Sequence, residues 1–196
     1  ERSGSHSDTL NGMIHNCLEK AGKSLQDINI FAAGKGPGSF TGIRIGLNTI
    51  KTYSYVYGKP AYGQNSLYLM ADYAREKGIS SVTTLLNAYK NMLYFAEYKV
   101  SNSQTLEIVQ PPQVVRVQEL DKVINLQSTI IGEGYGAYQK FLDEKFQNKL
   151  QRGSHLLDYP LSETLCKNAT NHLAALHWSE LVPLYLRASE AEENLQ

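Results

Sequence analysis

Residues Gly34–Tyr57 read GKGPGSFTGIRIGLNTIKTYSYVY, and this stretch decides how the chain folds on either side of it. Its first nine residues, Gly34–Gly42, hold four glycines and one proline. Pro37 fixes one φ angle, the glycines reach left-handed conformations, and Ser39 or Thr41 can cap a following helix. In that helix Ile43, Leu47, Ile50, Ser54 and Tyr57 alternate four and three residues apart, close to the narrow seam of one helix packed along another. Gly58-Lys59-Pro60 stops it. Upstream, Ile28–Ala33 (INIFAA) predicts a short buried strand. The unit is therefore strand, tight turn, helix, as expected of an α/β protein.

Glycines before a helix also invite a phosphate-loop reading, because backbone N–H groups can converge on an anion there. Spacing tests this. A Walker A loop needs a second glycine five residues after the first, but five on from Gly34, Gly36 and Gly38 stand Ser39, Thr41 and Ile43. The dinucleotide fingerprint G-x-G-x-x-G fails too, because Ser39 and Thr41 occupy the places of its third glycine. A structural turn is then the favoured reading of the residues, with an anion cradle still open.

Working outward, Leu10, Met13, Ile14, Cys17, Leu18 and Ala21 share one face of a first helix, capped by Ser7 or Asp8 and closed by Gly22. Asn65 or Ser66 caps a third helix that runs through Arg75 to Gly78. The texture then changes. Ser81–Ala88 and Leu93–Val100 form a predicted hairpin turned at Tyr89–Met92. Ile108–Val117 is a further extended run, which Pro111-Pro112 confines to an edge or bend. Short helices are expected over Val117–Ile124, Tyr138–Phe146 and Ser162–His177, with a small strand at Thr129–Gly132. Two mixed α/β lobes follow, 1–78 and 79–196.

Composition excludes several classes. The 196 residues carry 19 basic and 19 acidic side chains, so a protein that grips an RNA backbone by itself is not indicated, and any contact with nucleic acid should be indirect. No apolar run reaches the ~20 residues a membrane span needs, and the opening ERSGSHSD has no apolar signal region. A cytoplasmic chain with no membrane partner is the expectation. Cys17 and Cys166 read as reduced, part-buried thiols, with Cys17 in core packing. The helical metal pattern of two histidines four apart is missing from His6, His15, His155, His172 and His177. His172 and His177 point about 140° apart. Glu190, Glu192 and Glu193 read as a solvated run, and Tyr53, Tyr55 and Tyr57 suit an interface or a core equally.

Gly36-Pro37-Gly38-Ser39-Phe40-Thr41-Gly42-Ile43-Arg44-Ile45-Gly46 resembles the signature of the TsaB (YeaZ) family. The segments after His6, Leu25–Ile28, Pro60–Ser66, Val82–Tyr98 and Pro183-Leu184-Tyr185-Leu186-Arg187 resemble further stretches of that family. The resemblance implies a two-lobe ASKHA (actin/Hsp70-like) fold of mixed sheets flanked by helices. It also implies opening strands with an A-x-D-T-type segment, about 30 residues at usual strand lengths. They are not in this sequence, which reads as one whose beginning is missing, and without them the first lobe should expose a sheet edge. The hairpin departs from the family's D-A-R-x-G-E-x-Y, reading Asn87-Ala88-Tyr89-Lys90-Asn91-Met92-Leu93-Tyr94.

The resemblance further implies a non-catalytic subunit with no cofactor of its own. Such a subunit pairs with a metal-holding TsaD-type catalytic subunit and works with a TsaE-type ATPase, so that ATP or ADP belongs to the assembled complex. The complex transfers threonylcarbamoyl to the adenosine beside the tRNA anticodon, and the same helical surface supports homodimers. On this view Leu10, Met13, Ile14, Cys17, Ile43, Leu47, Ile50 and Ser54 are the expected partner surface. A peptidase-like or ATP-hydrolysing enzyme, or a self-associating module unrelated to tRNA, remain as other classes.

Overall fold

A computed structural model of the chain describes residues 6–171 and 177–188. The quoted stretch folds as strand, turn and helix: β1 (Phe31–Gly34), then α2 (Phe40–Tyr57), followed by β2 (Ala61–Gln64) and α3 (Ser66–Glu76). The strand starts three residues later than INIFAA suggests. A 3-10 turn at Leu25–Asp27 takes up the intervening chain, fixed by the Asp27 carboxylate accepting from both the backbone N–H and the hydroxyl of Ser24. β1 and β2 pair in parallel, Phe31 opposite Ala61. Before them lies α1 (His6–Lys20), which already contains Ser7 and Asp8, so neither caps it.

The second sheet has the order β5-β4-β3-β6-β7. β3 (Ser81–Asn87) and β4 (Met92–Val100) form the expected hairpin, and β5 (Leu106–Arg116), with its two prolines, lies at the edge. β6 (Thr129–Ile131) and β7 (Gln151–Arg152) add on in parallel. At the irregular register between Phe95 and Tyr98, Glu97 is 2% exposed. Its carboxylate accepts N–H groups from Gln110 at 3.1 Å and Asn125 at 2.9 Å, which is how a buried charge is made tolerable. α4 (Glu133–Ala137) and α5 (Gln139–Phe146) pack on this sheet, and Val117–Lys122 forms a 3-10 turn rather than a full helix.

α3 stands between the two sheets. Leu67, Met70, Ala71 and Ala74 press on Val82, Leu86, Ala96 and Tyr98 of the large sheet. Its other side gives Leu69 to a cluster with Tyr62, Leu165 and Ala169. The last two belong to α6 (Ser162–Asn171). Asn168 of α6 donates to Asp72, which also holds Arg75. The helix expected over 162–177 is described to Asn171. Residues 172–176, with His172, and the run Glu190, Glu192, Glu193 lie outside the described residues. His177 caps a separate 3-10 turn, Trp178–Glu180.

A division at residue 78 therefore needs correcting. α6 and the segment from Trp178 to Arg187 return to the first lobe, where Leu181 joins Phe31, Ile43, Leu47, Ile50 and Ala61 in one core. The apolar face of β1 and α2 is not closed by sequence-local partners, and a distant part of the chain closes it.

Candidate functional site

The glycine-rich turn is fixed by its neighbours at several points. Lys35 N–H donates to Gln64 O at 2.8 Å and Gly36 O accepts from Ser66 N–H at 2.8 Å, so the turn is tied to β2 and to the start of α3. The Gly36-Pro37 peptide is cis. Ser39 is the cap of α2, accepting from Gly42 N–H at 3.3 Å. Thr41, two residues on, is exposed.

The next two residues of interest meet a segment far along the chain. Phe40 stacks on Tyr185 with ring centroids 4.2 Å apart and planes 16° apart. Arg44 lays its guanidinium over Phe40 at 4.2 Å and donates through Nε to Tyr185 OH at 3.0 Å. A cation over a ring face combined with a stacked pair is a favourable arrangement. Leu184 N–H donates to Lys35 O at 2.7 Å. Arg187, three residues further on, donates to Ala88 O in the turn of the β3–β4 hairpin. Three segments singled out in the sequence, at 36–46, 87–94 and 183–187, thus converge on one cleft of about 310 Å³. No property of the sequence alone brings them together; only the fold does.

Ile43, Leu47, Ile50 and Ser54 do not face outward. They are between 2% and 9% exposed: Ile43, Leu47 and Ile50 share a core with Phe31 of β1 and Leu181, and Ser54 donates to Lys59 O. The expectation that they present themselves to a partner is corrected: the seam-like spacing marks packing against the chain's own strand and C-terminal segment. On α1 the pattern is the reverse. Met13 is 63% exposed, Cys17 is exposed rather than in the core, and Leu10 and Ile14 are half-buried. Cys166 is exposed as well. Tyr53 and Tyr57 tilt onto Phe31, whereas Tyr55 is 69% exposed with Trp178 edge-on at 5.4 Å. Tyr53 OH donates to Asn11 of α1 at 3.0 Å, and a groove of about 570 Å³ remains between the two helices. Among the described residues, no three His, Cys, Asp or Glu side chains gather as a metal-binding group. No described helix is long and apolar enough to cross a membrane.

The model for the family of TsaD, tRNA N6-adenosine threonylcarbamoyltransferase, matches residues 1–195. The tRNA threonylcarbamoyladenosine biosynthesis protein TsaB of Escherichia coli K12 is 30% identical over 203 aligned residues, covering 97% of this chain and 84% of that protein. The chain belongs to the TsaB family. Its fold is shared with YeaZ from Pseudomonas aeruginosa, which superposes with a TM-score of 0.74 at 21% identity, over 94% of this chain and 87% of the other. One segment of 62 residues is 40% identical to the tRNA N6-adenosine threonylcarbamoyltransferase of Rhizobium meliloti, 32% of this chain and 17% of that enzyme. The TsaB-family chain thus shares ancestry with the transferase as well as with TsaB.

Proposed function

We propose that this TsaB-family chain serves tRNA threonylcarbamoyladenosine formation as a non-catalytic subunit that docks on a TsaD-type transferase subunit. The observation that carries this is the state of α1 and of the outer face of α2. Leu10, Ile14 and Leu18 are half-buried and Met13 is 63% exposed, while Tyr55 and Val56 of α2 are 69% and 62% exposed. Two neighbouring helices that keep large apolar groups in water are the kind of surface a partner covers. The family relationship to the transferase supplies the partner's class. Zero net formal charge fits indirect rather than direct contact with tRNA. ATP or ADP, and a TsaE-type ATPase, are placed with the assembled complex.

The test is binding of the purified chain to its TsaD-type subunit by calorimetry, comparing the parent with Met13→Glu. Met13 is exposed, so the variant should fold, with stability changed by no more than about 0.5 kcal/mol. We expect affinity to fall by about tenfold or more, the scale of an interface anchor. Undiminished affinity would sink the proposed interface. Measurable ATP hydrolysis or peptide cleavage by the chain alone would overturn the non-catalytic part.

A further inference from the structure

The segment Trp178–Arg187 runs along α2 in the opposite direction. Trp178 meets Tyr55 near the end of the helix, Leu181 is 1% exposed beneath its middle, and Tyr185 stacks on Phe40 at its start. The fifteen helical steps from Phe40 to Tyr55 and the seven steps from Trp178 to Tyr185, part 3-10 and part extended, both span about 20 Å, so the segment has little slack. The first lobe is shaped to receive it. A β-carbon on Gly63 would stand 2.2 Å from Leu181 Cδ1, and one on Gly36 would stand 2.7 Å from Leu184 O.

Beyond Tyr185 the same segment leaves the first lobe. Arg187 donates to Ala88 O, at the base of a hairpin tip where Tyr89, Lys90 and Asn91 all have positive φ (58°, 49° and 59°). Such conformations are unfavourable for residues with a β-carbon and persist only where neighbours hold them. On the far side of the cleft the lobes are joined through α3, which packs on both sheets. One side is therefore a packed hinge, and on the other the described residues place the extended segment Trp178–Arg187 across both lobes.

We propose that Trp178–Arg187 is a strap that sets the opening of the interlobe cleft, latched to the second lobe by Arg187. The charged hydrogen bond to Ala88 O holds the hairpin tip against the first lobe, while Leu181, Leu184 and Tyr185 anchor the other end along α2. Releasing the latch lets the second lobe swing about α3 and leaves both cores intact.

The experiment uses the full chain. Cys17 and Cys166, both exposed, are replaced by serine. Spin labels are placed through Asn48→Cys on α2 and Lys140→Cys on α5, two exposed positions in different lobes. Pulsed dipolar spectroscopy of the parent should give a narrow distance distribution. Arg187→Ala should widen it and raise amide exchange at residues 88–92 on the order of tenfold, with α3 still protected. An unchanged distribution in Arg187→Ala overturns the strap. If that variant fails to fold, Arg187→Gln keeps a polar stem too short to reach Ala88 O, and it is read in the same way. No partner subunit enters this measurement, so its outcome is separate from that of the docking proposal.

Discussion

At Gly36 the backbone has φ of 103°, and a β-carbon would lie 2.7 Å from Leu184 O and 2.8 Å from Ile43 Cδ1. Gly36→Ala therefore combines strain with overlap against backbone, and we expect a loss of about 2–4 kcal/mol, measured as a lowered urea midpoint. Gly46 gives the contrast. It lies within α2 and a β-carbon there would meet nothing within 4 Å. Gly46→Ala should raise stability by about 0.5–1 kcal/mol. Residue types alone announce a turn at Gly34–Gly42, because glycine and proline act locally. They cannot say that Gly36 must stay small to admit Leu184, a residue that comes close only once the chain has folded.

The two long helices near the start of the chain differ in what their apolar stripes do. Leu47 is 3% exposed in the core of the first lobe, so Leu47→Ala should cost about 2–5 kcal/mol in a denaturant titration. Met13→Glu should leave that titration almost unmoved, as argued above. Periodicity identified both stripes, because it reports which residues share a face. It is silent on what the face meets. Ile43, Leu47, Ile50 and Ser54 read as a seam for another helix, and what covers Ile43, Leu47 and Ile50 is β1 with Leu181. Cys17 reads as core on α1, and its helix lies at the rim of the lobe. Short elements were hidden for another reason. α4, EGYGA, and β7, two residues long, are too brief to show a period, and the sheet holds them through contacts with β3 and β6.

For the whole molecule, tyrosines set the alkaline limit. Burial first, then the hydrogen bond it donates to Asp143, pushes the Tyr135 phenol up to about 12. Burial raises Tyr98, Tyr62 and Tyr68 in the same direction. A phenol raised above its unfolded value near 10 favours the folded state below that pH, and the advantage disappears as pH climbs toward the folded value. The contribution of these phenols should thus be constant near neutrality and be lost between about pH 10 and 12. Thermal midpoints across that range would measure it, and Tyr135→Phe should flatten part of the slope. The start of the second sheet at Ser81 was legible from the change in texture near residue 78. The return of α6 and the C-terminal segment to the first lobe was not, because nothing local in those residues names their distant neighbours.

Leu181 also has a bearing on how the chain comes into being. It completes the core around Phe31, yet it is made about 150 residues later. At a synthesis rate of roughly 5–20 residues per second, the first lobe waits on the order of ten to thirty seconds with its apolar floor uncovered. During that interval α2 and β1 are clients for a chaperone, and demand for one should rise with anything that delays translation between Phe31 and Leu181.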